Sequence, residues 1–218
     1  MANLIMILGE SGTGKSTSIE NLDPKETFIF QIVDKPLPFR NFKSKYSIYS
    51  SKENPEGNRV VSDDTEKIIK MMDILNKKDN VKVIIIDDSQ YIMANEFIRR
   101  AKEKGYEKFT EITQHFFNVI DKAAELREDI TVVFLHHIEF KDDGRAKAKT
   151  VGKMMDDKIG TEGRFSIVLA TEIEDGNYYF RTQNNGFDTC KSPKGMFEDL
   201  RIPNDLEFVI KKVNEYFN

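Results

Sequence analysis

Residues 4–17, LIMILGESGTGKST, run from an unbroken apolar segment straight into a glycine-rich one. Glycine weakens regular structure, so Gly9, Gly12 and Gly14 mark a backbone that turns sharply or approaches something closely. The spacing from Gly9 to Gly14-Lys15-Ser16 fits G-x-x-x-x-G-K-[ST], a phosphate-cradling loop between a buried strand and a helix. Gly9, Glu10, Ser11, Gly12, Thr13, Gly14, Lys15, Ser16 and Thr17 form the expected cradle. Backbone N–H groups from about Gly12 to Thr17 would donate to phosphate, helped by the positive end of a helix over about 15–21. Lys15 is long enough to bring a point charge to the β- and γ-phosphates of ATP. Ser16 offers a hydroxyl to Mg²⁺, which prefers hard oxygen ligands. The plainer reading is a glycine turn that a lysine merely caps.

A chain of 218 residues has enough length for one domain, 1–218, with a substantial core. With 39% hydrophobic and 32% charged residues it reads as a globular protein with a heavily charged surface. The net charge of −4 provides no global basic field for nucleic acid or membrane, so such binding needs a local patch. Cys190 is the one cysteine, which rules out an intramolecular disulfide and suits a reducing interior. No signal peptide and no membrane span is read from the apolar runs, so a cytoplasmic protein is expected.

Along the chain, strands are expected at 3–8, 27–33, 81–87 and 130–138, each apolar and rich in β-branched or aromatic residues. Helices are expected at 63–77, 90–104 and 107–127, with 41–61 polar and irregular. Residues 164–183 read as a hairpin around Glu174-Asp175-Gly176-Asn177, and a terminal helix follows an N-cap at Asn204 or Asp205. Alternating strands and helices imply an α/β fold with a mostly parallel sheet flanked by helices and a C-terminal antiparallel hairpin. Ligands of such sheets bind beyond the carboxyl ends of the strands.

Polar residues at those ends are therefore candidates. Asp87 closes the apolar strand 81–87 and is the expected second holder of the Mg²⁺ shell, with Ser16. Asp88 stands where many ATPases carry a glutamate that polarises the attacking water, and Asp34 is the competing carboxylate. His136 and His137 end the strand 130–138; adjacent strand residues face opposite ways, and His137 is the preferred γ-phosphate sensor. His115 is the only other histidine, so no histidine–cysteine metal cluster is expected. The acidic strand comes third, and the next strand has a polar end. That order suits a sheet in which the sensor strand lies between the loop strand and the acidic strand.

ILGESGTGKST, VIIIDDSQYI, VVFLHHIE and the late FRTQNNGFDTCKSPKGMFEDL together resemble small phage-encoded ATP-binding proteins of the AAA/RecA-like type. Some of these are core-only ATPases that support single-strand DNA annealing and recombination. The resemblance implies a RecA-like phosphate-loop fold, ATP hydrolysis, and a homo-oligomer whose site is completed in trans by a cation, for which Arg181, Lys191 and Lys194 lie in the matching segment. It also implies that the loop after the sensor strand faces single-stranded DNA through Lys141, Arg145, Lys147 and Lys149, against Asp142 and Asp143. The basic stretch 97–109 is a second DNA candidate. The chain departs from RecA-type enzymes in carrying Asp34 near the usual glutamate and His137 at the usual glutamine. Two alternatives stand beside this reading: a nucleotide or small-molecule kinase with residues 139–165 as lid, and a nucleotide-gated binding protein with little turnover.

Overall fold

Leu4, Met6 and Leu8 alternate with Ile5 and Ile7 along the first strand, and the two sets enter different cores. The same sorting holds for Phe28 and Phe30 against Ile29, and for Ile84 and Ile86 against Val83 and Ile85. A sheet buried on both faces needs cover on both, and the chain supplies it.

The computed structural model describes residues 1–152 and 160–217. Its strands are β1 (Asn3–Gly9), β2 (Thr27–Gln31), β3 (Arg59–Val61), β4 (Val83–Asp87), β5 (Thr131–Phe140), β6 (Ala146–Ala148), β7 (Ile167–Glu174), β8 (Asn177–Arg181) and β9 (Arg201–Pro203). Among the described residues they form one mixed sheet of nine strands, ordered β3-β2-β4-β5-β1-β7-β8-β9, with β6 paired to β5. From β3 to β7 every neighbour on that path is parallel, while β8 and β9 add antiparallel pairs. The strand β5 lies between β1 and β4, as the motif order suggested.

The helices are α1 (Phe42–Lys45), α2 (Thr65–Leu75), α3 (Gln90–Arg99), α4 (Glu107–Ala124) and α5 (Leu206–Phe217). Ile68, Met72 and Leu75 of α2, Ile92 and Met93 of α3, and Ile112, Phe116 and Ile120 of α4 cover one face. Leu206, Val209, Ile210 and Val213 of α5 cover the other, with Ile19, Leu22, Phe42 and Tyr46. The Asp64 side chain accepts from Lys67 N at the start of α2. Asp205 Oδ1 accepts from Glu207 N at 2.8 Å, the cap expected for the terminal helix. In the β7–β8 turn Asp175 and Gly176 both have positive φ, 49° and 76°, as a two-residue hairpin requires.

Three expectations need correction. The helix foreseen over about 15–21 is only a 3₁₀ turn, Thr17–Ile19. Ser18 Oγ competes with the helical pattern by donating to Lys15 O at 2.6 Å, and Pro24 follows too soon for a longer helix. Residues 41–61 are not wholly irregular, since they contain α1 and the edge strand β3. The fourth strand runs on to Phe140 and returns as β6, with a hairpin turn at Gly144, whose φ is 80°.

Candidate functional site

Four strand ends converge at the carboxyl edge of the sheet. Gly9 at the end of β1 is paired in register with His137 on β5, and Asp87 at the end of β4 with Gln31 on β2. The loop after β1 therefore lies over the middle of the sheet, beside β4 and β5. Gly12 and Gly14 have φ of 81° and 97°, where a side chain would be strained. Gly9 is required for another reason: a β-carbon there would stand 1.9 Å from Thr171 Oγ1, on the neighbouring β7.

Lys15 folds back over its own loop, donating to Gly9 O at 2.9 Å and Glu10 O at 2.7 Å. Burial lowers its pKa to about 8, with the Asp88 and Asp87 carboxylates partly restoring it. Ser16 Oγ donates to Asp87 Oδ1 at 2.7 Å, and Asp87 is fully buried. Burial, reinforced by the neighbouring Asp88 charge, pushes the Asp87 carboxyl up to about 6 despite that bond. Its second oxygen, Oδ2, is buried with no hydrogen-bond partner. A buried carboxylate oxygen left open beside a serine hydroxyl suits a hard divalent cation, so this pair fits Mg²⁺. Among the described residues no group of three histidine, cysteine or acidic side chains forms a metal cluster of protein ligands alone.

Asp88, also buried, has left-handed backbone with φ 59°. His137 Nε2 lies 3.2 Å from its Oδ1, and Lys35 Nζ forms a close ion pair with Oδ2. Burial pushes this carboxyl up, but the His137 and Lys35 hydrogen bonds outweigh it and hold the group below its ordinary value. His136 faces away, as the strand alternation foretold. Its Nε2 lies 2.8 Å from Lys149 O, which can only accept, so Nε2 carries the proton and Nδ1 takes the Ser89 hydroxyl at 2.8 Å. Burial holds His136 at about 4, hence neutral.

Ser11, Gly12, Gly14, Lys15, Ser16 and Thr17 face Lys35, Asp88, His137 and Tyr178 across a cleft of about 510 Å³. A larger cavity, about 810 Å³, opens at the amino ends of β2 and β4, lined by residues such as Thr27 and Val81. The smaller one holds the candidate chemistry, because it gathers the glycine loop with cationic and acidic side chains. Glu10 and Thr13 shape the loop, with Thr13 Oγ1 bonded to Glu10 O at 2.8 Å and to Thr171 Oγ1 at 2.6 Å. Asp34 is exposed and does not line the cleft; Lys35, one residue on, does. Reading the sequence missed Lys35, Tyr178 and Thr171. A lysine in the short loop that leaves the second strand was the available signal for the first, whereas the other two come from β7 and β8 and had none.

Outside the cleft, Arg181 pairs with Asp188 at 2.6 Å, which removes it as a cation free to reach another subunit. Lys191 is half-buried, bridging Val168 through its backbone, whereas Lys194 is exposed. In the β5–β6 hairpin Arg145 pairs with Asp143 at 2.7 Å and Lys147 with Glu139 at 2.9 Å, so two of the four expected DNA cations are engaged within the hairpin. Lys141 and Lys149 are exposed. In the stretch 97–109, Arg99 pairs with Asp63 and Arg100 with Glu96, Glu103 and Glu111, while Lys102 and Lys104 are exposed. Of the lid expected at 139–165, residues 153–159 lie outside the described residues.

The fold and cleft define an α/β protein with a mostly parallel sheet and a glycine-loop cleft at its carboxyl edge. A scan against protein-family models gives no match, and neither does a search of curated proteins. Among the described residues no helix is long and apolar enough to cross a membrane.

Proposed function

We propose that the cleft binds a nucleoside triphosphate, ATP in the first instance, with Mg²⁺, and hydrolyses it slowly. One observation carries this reading: Ser16 Oγ bonds Asp87 Oδ1 at 2.7 Å while Asp87 Oδ2 stays buried and open, beside a glycine loop bearing Lys15. Mg²⁺ held by Ser16 and Asp87 would neutralise phosphate charge. Lys15 would exchange its two carbonyls for the β- and γ-phosphates, and the loop N–H groups would hold the inner phosphate. Asp88 would take the proton of an attacking water as its oxygen bonds the γ-phosphorus. The bond to the β-phosphate oxygen then breaks and ADP leaves with the electron pair. The His137 contact weakens Asp88 as a base, which is the physical ground for expecting low turnover. The short 3₁₀ turn after the loop supplies little helix dipole, so Lys15 and the loop amides carry most of the phosphate binding.

Single-stranded DNA is the proposed partner, in recombination or replication of the RecA-like, phage-encoded kind, with a homo-oligomer completing the site through Lys194. The hairpin supports the DNA part. Ala146 N donates to Phe187 O at 2.7 Å, which brings the exposed Phe187 to the hairpin that also carries Phe140, Lys141 and Lys149. Exposed aromatics beside cations are what single strands bind. The test is calorimetric titration of ATP and ADP with and without Mg²⁺, followed by phosphate release with and without a single-stranded oligonucleotide. Binding without any effect of the oligonucleotide would leave a nucleotide-gated protein, and absence of binding would end the reading.

A further inference from the structure

Besides Lys15, the cleft is lined by a second lysine, Lys35, and its backbone is anchored from beneath. The buried Gln31 amide donates to Lys35 O at 2.5 Å, while Gln31 Oε1 accepts from Arg59 Nη1 at 2.7 Å. Pro36 and Pro38 stiffen the loop, and Leu37 between them is buried in the core that also holds the apolar residues of α5. The Lys35 side chain, by contrast, is 45% exposed and stretches to Asp88. A long ammonium on a fixed backbone can change partners without moving the fold.

The partner it would change to follows from charge. A triphosphate whose inner phosphate sits in the glycine loop brings its terminal, most highly charged group toward Asp87 and Asp88. A carboxylate facing that group repels it unless a cation stands between them. Lys35 already contacts Asp88, lines the same cleft and has the freedom to reach. We propose that Lys35 reads the third phosphate: it turns from Asp88 to the terminal phosphate, so that the cleft distinguishes a nucleoside triphosphate from a diphosphate and Asp88 is unmasked only when the third phosphate is present. This rests on the nucleotide reading above.

The test measures affinity for ADP and for a β,γ-imido triphosphate analogue, both with Mg²⁺, in wild type, Lys35→Met and Lys35→Arg. A charge-assisted contact to the terminal phosphate predicts that Lys35→Met binds the analogue about tenfold to a hundredfold more weakly and leaves ADP within about twofold. Lys35→Arg, keeping the charge, should retain most of the preference. The loss should persist in an Asp88→Asn background, because the contact removed is to phosphate. Equal losses for the two nucleotides, or recovery of analogue affinity in the Asp88→Asn background, would overturn the proposal while leaving nucleotide binding intact. A wild-type chain that binds neither nucleotide would overturn the underlying reading and the proposal with it.

Discussion

Ser16 Oγ donates to Asp87 Oδ1 across 2.7 Å, tying the glycine loop to the end of β4 although 71 residues separate the two. That bond satisfies one oxygen of a buried carboxylate and leaves the other open. Asp87 titrates near 6 when folded against an ordinary 3.8, so between those values the folded chain holds the extra proton. Its contribution to stability is complete below about 4 and is lost as pH rises through about 6. Asp87→Asn should therefore stabilise the metal-free protein at pH 7.5, by on the order of 1 kcal/mol or more, and by about half as much at pH 5. Thermal melts at the two pH values check this. The same variant should lose Mg²⁺-dependent hydrolysis more than nucleotide binding.

Lys15→Ala should abolish tight ATP binding without unfolding the chain, since no other loop residue carries that charge; circular dichroism and calorimetry read the two halves. The wild-type protein should also lose ATP affinity as pH climbs. Lys15 deprotonates near 8 in the free protein, phosphate favours the protonated amine, and binding above that pH must take up a proton. The dissociation constant should rise by up to about tenfold per pH unit there. A flat profile from pH 7 to 9.5 would contradict the placement of Lys15.

Asp88→Asn should leave ATP and Mg²⁺ bound and lower kcat by about 10²-fold or more. Asp34→Asn should leave kcat unchanged, because Asp34 is exposed outside the cleft. Single-turnover phosphate release from both variants decides between the two carboxylates.

For DNA, the ion pairs of the hairpin select which cations matter. Lys141 and Lys149 changed together to Ala should lower the slope of log affinity against log salt by about 1.4, at roughly 0.7 per phosphate contact on single strands. Lys147→Ala should change it less, because Lys147 already pairs with Glu139. Salt titrations of a labelled oligonucleotide, with a non-hydrolysable ATP analogue at saturation, measure both. A slope unmoved by the double change would remove this hairpin as the contact.

Strands buried on both faces were plain in the sequence because VIIID and TVVFL have no other stable place. The loop was legible for a similar reason: Gly9, Gly12 and Gly14 sit where a β-carbon would clash or a positive φ is needed. What escaped depended on packing between distant segments. The three-residue strands β3 and β9 have too little pattern to announce themselves and exist through pairing with β2 and β8. The helix expected after the loop stopped short where the Ser18 hydroxyl bonds the backbone and Pro24 soon follows. Lys35 looked like one more surface lysine until Gln31 and Asp88 gave it a place.

The left-handed backbone at Asp88 bears on which acid the site can use. Successive residues of an extended strand point to opposite faces, yet Asp87 bonds Ser16 of the cleft while Asp88, where the chain turns left-handed as it leaves β4, lines that cleft itself. Aspartate and asparagine tolerate that conformation better than most other side chains. A glutamate at 88 would meet backbone strain and carry its carboxylate past the Lys35 and His137 contacts that orient it now. The shorter acid is thus matched to the shape of the turn, and lengthening it in the hope of a stronger base should slow the protein.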